Sequence, residues 1–284
     1  MKRFLTLFSW RTEVLIWARV AVPIMSDSRD LAASPRRLLL VGESWFSHTI
    51  HQKGFDSFTT STYEEGCTDF VAALDSRGWA VEHIPCHQVE TRMPSTAEAL
   101  RAYAAVVLSD VGSNTFLLGR QTFFHGQAAP DLLELLAAYT SGGGGLVMVG
   151  GYMSFGGIDG KAGYAKTCLS EVLPVTVSPG DDRIEKPAGI VPTVRVPGHP
   201  TVAGIAGPWP RLLGYNQLTP RPPGQVVASC GTDPLLAVGT YGRGRCVAFA
   251  SDLGPHWAPT GFTGWDGYPV LWDGIASWAA GPDL

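Results

Sequence analysis

The chain has 284 residues, 45% hydrophobic and 16% charged, with 34 Gly, 21 Pro and a net charge of −4. That length holds one large domain or two small ones, and low charge with abundant Gly and Pro predicts short loops around a well-buried sheet. A slightly acidic chain without a basic run excludes an electrostatic footprint for nucleic acid or an acidic membrane surface.

The first segment, MKRFLTLFSWRTEVLIWARVAVPIM, starts like a secretory signal, but Arg11, Glu13 and Arg19 interrupt its apolar run. It is also too short and too charged to span a bilayer. Met25 offers an alternative start. Residues 1–35 therefore read as a poorly ordered or mis-called extension, and 36–284 as the domain.

RLLLVGE (37–43) reads as a buried first strand, and the long segment 42–66 after it as a loop. CTDFVAALDSRG (67–78) has helical spacing with Gly78 as its stop, and WAVEHIPC (79–86) is a second strand. STAEALRAY (95–103) opens with a Ser95–Glu98 capping box, and AAVVLSD (104–110) is a third strand. PDLLELLAAYTSGG (130–143) predicts a helix with Pro130 in its first turn and glycines ending it. LVMVGG (146–151) is a fourth strand. Beyond it KTCLSEVLPV (166–175) holds a short helix, while 176–224 is rich in Pro and Gly and carries no clear pattern. PLLAVGTYGRGRCVAFASD (234–252) reads as a β-hairpin through Gly242-Arg243-Gly244, and YPVLWDGIASWAAG (268–281) as a closing helix. Apolar strands alternating with helices predict a flavodoxin-like, doubly wound α/β/α sandwich with a mostly parallel sheet and a C-terminal hairpin.

In such sheets ligands bind beyond the carboxyl ends of the strands. Those ends are polar here: Glu43-Ser44, Ser109-Asp110, Gly151-Tyr152, and Ser251-Asp252 with His256 four residues on. Each carboxylate on its own reads as a helix cap. Several together on one edge point instead to a ligand cleft. Acidic side chains gathered there are costly to bury without a partner.

The segment 42–66 is dense in His48, His51, Lys53, Asp56, Tyr63, Glu64 and Glu65. His48 and His51, three apart, would share one helical turn and form a weak metal pair with Glu43 or Asp56. No second ligand motif completes them, so no metal or other cofactor is expected. The glycines at 142–145 precede a strand, whereas phosphate-binding glycines follow one, so they read as a helix stop. Five scattered cysteines (67, 86, 168, 230 and 246) without a CxxC pair fit reduced thiols in a cytoplasmic protein.

LLLVGESW, HQKGFDSF, SDVGSNTF, GLVMVGGYMSFGGIDGKAGY and GRCVAFASDLGPHW together resemble a bacterial family of class I glutamine amidotransferase-like proteins, over about residues 37–281. The resemblance implies the same sandwich. True class I amidotransferases carry a Cys in G-x-C-x-G on the elbow after a strand, with a later His as base. The equivalent position here falls at Gly151 or Tyr152, and neither can attack a carbonyl. Ser154 lies near, but a G-x-S-x-G elbow would need Gly at 152. His256 falls near the place of the family's His, and with Asp252 and Ser154 forms the candidate catalytic set. Glu43, Ser44, Asp110, Asn114, Gly151 and Tyr152 are the candidate ligand-binding residues. The partner expected is a small polar molecule of unknown identity. A second reading is a non-catalytic module whose nine Trp serve a homo-oligomer interface, although core packing explains Trp equally well. A third is a conventional glutaminase subunit.

Overall fold

The computed structural model describes residues 36–281, so the extension read at 1–35 and the alternative start at Met25 lie outside the described residues. The chain winds an eight-stranded sheet in the order β4-β1-β5-β6-β14-β13-β12-β9. Its strands are β1 (Arg36–Gly42), β4 (Trp79–Ile84), β5 (Ala105–Ser109), β6 (Gly145–Val149), β9 (Thr193–Val194), β12 (Gln225–Cys230), β13 (Asp233–Tyr241) and β14 (Gly244–Phe249). The first five in that order run parallel, and β13, β12 and β9 add an antiparallel wing. The inner parallel strands β1, β5 and β6 are buried on both faces, as their unbroken apolar runs require, with Leu38 through Val41 and all of β5 and β6 inaccessible or nearly so, while the edge strand β4 leaves Ala80 through His83 partly exposed.

Between β1 and β4 lies the helix Thr68–Asp75, and between β5 and β6 the helix Leu132–Ser141. These crossovers travel in opposite directions along the sheet, so right-handed connections place the two helices on opposite faces. The closing helix Gly267–Ala280 packs beside Thr68–Asp75. Its Trp272 meets Phe70 and Phe249 edge-on, each at 5.0 Å between ring centres. Trp257 and Trp272 are core residues, and Trp265 and Trp278 are half-buried against the same core. No helix among the described residues is long and apolar enough to cross a membrane.

Three local expectations change. The helix expected at 95–103 spans only Ala97–Leu100, and its cap is Thr96, whose hydroxyl accepts from the Ala99 amide at 3.2 Å. Thr96, extended at φ −138°, takes the position that Ser95 was expected to fill. The helix Leu132–Ser141 is capped by Asp131, which accepts the Leu133 and Glu134 amides, so Pro130 precedes the cap.

The largest change is at 42–66. That segment is a β-hairpin of β2 (Ser44–Lys53) and β3 (Asp56–Glu65), closed by the two-residue turn Gly54-Phe55 with Gly54 at φ +65°. Threonines, Ile50, Phe58 and Tyr63 supply the strand preference, and glycine supplies the positive φ that the turn needs. The unpatterned segment also contributes short pairs: β7 (Val175–Thr176) with β11 (Thr219–Pro220), and β8 (Arg183–Ile190) with β10 (Leu212–Asn216).

Candidate functional site

The switch point of the winding lies between β1 and β5, and their carboxyl ends are joined by the Glu43 amide donating to the Ser109 carbonyl at 2.7 Å. The residues that leave these strands, Glu43 at φ 47° and Asp110 at φ 44°, adopt a left-handed conformation rare outside glycine. Two adjacent acidic residues held in that conformation mark a place where the fold sustains strain, as functional sites do.

Glu43 is buried, and its carboxyl accepts the Ser109 hydroxyl at 2.6 Å. Burial pushes its pKa well above the usual carboxylate range, and the neighbouring Asp252 and Asp110 push it further. Asp110 accepts the Met153 amide at 2.7 Å. Burial, with Asp252 adding to it, raises Asp110 to about 6. Asp252 is buried, accepts the Trp257 amide at 3.1 Å and stands 3.2 Å from His256 Nδ1. Burial raises Asp252 as well, with His256 opposing the shift, and the Asp252 carboxylate in turn raises His256 above the ordinary imidazole value. His256 is the exposed member of the group.

Gly151 is the floor of this group. A Cβ at Gly151 would lie 2.7 Å from Asp110 Oδ1 and 2.9 Å from Asp252 Oδ1, and the residue sits at φ +140°. Only glycine lets both carboxyls close over the turn. Tyr152 stands at the rim, its ring edge-on to His256 at 4.4 Å and its hydroxyl donating to Glu185 at 3.0 Å. Glu185 also accepts the Trp257 indole N–H at 3.0 Å.

The structure thus brings together Glu43, Asp110, Gly151, Tyr152, Asp252 and His256. Ser154 is buried, and its hydroxyl accepts the Asp110 amide at 3.1 Å, which makes it a support for that strained residue. Ser44 is likewise occupied, accepting the Cys86 amide at 2.8 Å. Asn114 lies exposed on the short helix Asn114–Leu117. His48 and His51 do not share a helical turn. They lie three apart on β2 and so point to opposite faces, one paired with Ser61 and the other with Thr60.

Sequence reasoning missed Asn216 and Asp182. The Asn216 side chain accepts the Gly151 amide at 3.0 Å, donates to the Gly151 carbonyl at 3.2 Å and donates to Asp182 at 2.8 Å. Asp182 in turn accepts the Gly156 and Gly157 amides at 2.8 and 2.9 Å. These two residues clamp the turn after β6 from a segment that has no readable pattern. Among the described residues, Glu65, Cys67 and His83 are the one His/Cys/Asp/Glu trio whose ligand atoms all lie within 4.8 Å of one another. The strand-end carboxyls do not gather that closely.

At the opposite, amino-terminal end of the parallel strands a cavity of about 590 Å³ is lined by Arg101, Arg243, Arg245 and Gly142 to Gly144. The three glycine amides already donate to the carbonyls of Ala138, Thr140 and Tyr139, so they form a helix stop and no phosphate cradle.

Among solved structures, the chain is similar to two cytoplasmic proteins of Salmonella typhimurium. STM1381 is 46% identical with a TM-score of 0.82, over 86% of this chain and 99% of that one. STM3548 is 44% identical with a TM-score of 0.83, over 85% and 98%. A thua-like protein from Bacteroides uniformis, 11% identical with a TM-score of 0.51 over 87% and 93%, shares the fold alone. No curated protein matches the sequence. The GATase1-like family model, described as "putative glutamine amidotransferase", matches residues 37–280, and the chain belongs to that family.

Proposed function

We propose that the protein binds a small polar molecule at the carboxyl ends of β1, β5, β6 and β14 and hydrolyses it by acid–base chemistry, without a thiol acyl-enzyme. The observation that carries this reading is the Asp252–His256 pair facing the buried Asp110 carboxyl across Gly151. Neighbouring titratable groups pushed to different pKa values divide acid and base roles between them. Asp110, titrating at about 6, is the base that draws a proton from water near neutral pH. His256, kept charged by Asp252, is the acid that protonates the leaving group. Glu43, neutral through burial, donates a hydrogen bond to the substrate. An acidic site of this kind favours a neutral or cationic substrate rich in hydrogen-bond donors, such as an amide. The elbow residues Gly150, Gly151 and Tyr152 support a route without a thiol. The cytoplasmic location of the two Salmonella relatives is carried over as part of this reading.

The test is a hydrolysis screen of small amides, glutamine included, with and without iodoacetamide. Turnover should resist alkylation. Its kcat/KM should fall below about pH 6 as Asp110 gains its proton, and fall again at alkaline pH as His256 loses its own. Asp252→Asn and His256→Gln should each lower kcat by about 10² to 10⁴. Thiol-sensitive ammonia release from glutamine would overturn the reading.

The β2–β3 arm favours a second reading, in which copies of the chain associate through it. Ile50, Phe55 and Phe58 are all exposed on the arm. A two-stranded hairpin alone is marginal in water and leaves free edges, and an identical arm offers matching edges and side chains. Light scattering across a concentration series checks this, with a monomer at all concentrations as the contrary result.

A further inference from the structure

We infer that Glu185 is a positioning residue of the strand-end site, whose carboxylate fixes the two aromatic rings packed against the His256 imidazole. The inference rests on the acid role proposed above for His256, and its structural half can be measured without turnover. Glu185 lies on β8, and both of its carboxylate oxygens are engaged. Oε1 accepts the Tyr152 hydroxyl and Oε2 the Trp257 indole N–H, each at 3.0 Å. Both partners touch His256. Tyr152 meets it edge-on at 4.4 Å between ring centres, and Trp257 stacks on it at 5.3 Å with the planes 23° apart. The Tyr152 and Trp257 rings are 5.7 Å apart, so the three rings close a triangle.

Among the described residues Asp252 is the one polar partner of His256, 3.2 Å from Nδ1. An exposed imidazole with a single polar contact can turn away from it, and two packed rings remove that freedom. Those rings need an anchor of their own. Trp257 is fully buried, so its indole N–H requires an acceptor, and Glu185 supplies it. Gly214 on β10 lies opposite Glu185 across the ladder, and a Cβ there would strike the indole Nε1. The glycine lets the ring approach the strand, and the carboxylate of the neighbouring strand receives its N–H. Charge acts in the same sense. Asp252 first, then Glu185 and Asp110, raise His256 above the ordinary imidazole value. Arg183, the cation on the same strand, lies over the Tyr152 ring at 5.0 Å but is paired with Asp181 at 2.7 Å. Among the described residues Glu185 alone bonds both rings.

The test is NMR on the full chain, following the His256 ring and the Trp257 indole N–H through a pH titration. Glu185→Gln removes the charge, and the His256 pKa should fall by about 0.5. For any amide turned over, kcat should fall about 10-fold, with KM changed by less than about 2-fold. Glu185→Asp keeps the charge but is one methylene too short to reach both rings. It should displace the indole N–H signal and lower kcat as far, with a smaller fall in the His256 pKa. Glu185 is exposed, so both variants keep the fold. Lys186→Gln, a charge change at the next position and on the opposite face of β8, should move neither signal. A His256 titration unchanged by Glu185→Gln, or full kcat in Glu185→Asp with the indole signal displaced, would overturn the inference and leave the hydrolytic reading standing. If the parent turns over no amide, that reading fails, and the two NMR signals still decide whether Glu185 holds His256.

Discussion

Two segments leave the sheet at its carboxyl edge and differ in almost every respect. The turn after β6 is glycine-rich and poor in reactive side chains, yet it is buried and held from three sides by Asp110, Asp252 and the Asn216–Asp182 pair. The arm after β1 holds two histidines, two adjacent glutamates and several aromatics, yet most of them face solvent. Density of chemically capable residues therefore does not locate the site. Convergence does, because a carboxyl or imidazole acquires an altered pKa only when other elements desolvate it and bring a second charge near. At its base the arm meets other elements: Glu65 Oε2 stands 3.6 Å from His83 Nδ1, and Phe46 and Tyr63 pack edge-on against His87.

The sharpest way to break this contrast is Gly151→Ala. The added methyl would strike two carboxylate oxygens in a backbone conformation that disfavours alanine. A loss of about 4 kcal/mol is expected in urea unfolding. Asn216→Ala comes next, since it strips a partner from the buried Asp182 and frees the turn. About 3 kcal/mol should be lost, again by urea unfolding.

Asp110→Asn carries the opposite sign. Asp110 titrates at about 6 in the folded chain, against about 3.9 when unfolded. The folded state therefore holds its proton more tightly, and the stability this provides is present below about pH 4 and lost as pH rises through 6. Glu43, also raised by burial, acts in the same direction. Replacing Asp110 with Asn keeps the acceptor for Met153 and removes the cost, so the variant should be more stable than the parent at pH 7.5 by about 2 kcal/mol. It should lose hydrolysis at the same time. Equal stability of the two proteins from pH 4 to 8 would show that the strand-end carboxyl is not desolvated as described.

The smallest effect belongs to the arm. Ile50→Lys, on an exposed face, should change monomer stability by less than about 0.5 kcal/mol. If copies associate through the arm, the same change should shift the light-scattering mass toward monomer.

Much of this molecule was legible from the chain. The runs at 37–43, 104–110 and 146–151 are buried parallel strands, and the predicted edge of Glu43, Asp110, Gly151, Tyr152, Asp252 and His256 is the one that assembles. Strand periodicity and the winding rule suffice for that, because a doubly wound sheet has one edge at which its polar strand ends must meet. Three features were decided only in three dimensions. Ser154, placed by the sequence near an elbow, spends its hydroxyl on the Asp110 amide. Asn216 and Asp182 clamp the turn from a segment whose residues carry no period, and Glu65, Cys67 and His83 meet across three elements. A hydrogen-bond or ion-pair partner distant in sequence leaves no local pattern. The backbone period records which face of an element is buried, and only the packed chain decides which side chains share that burial.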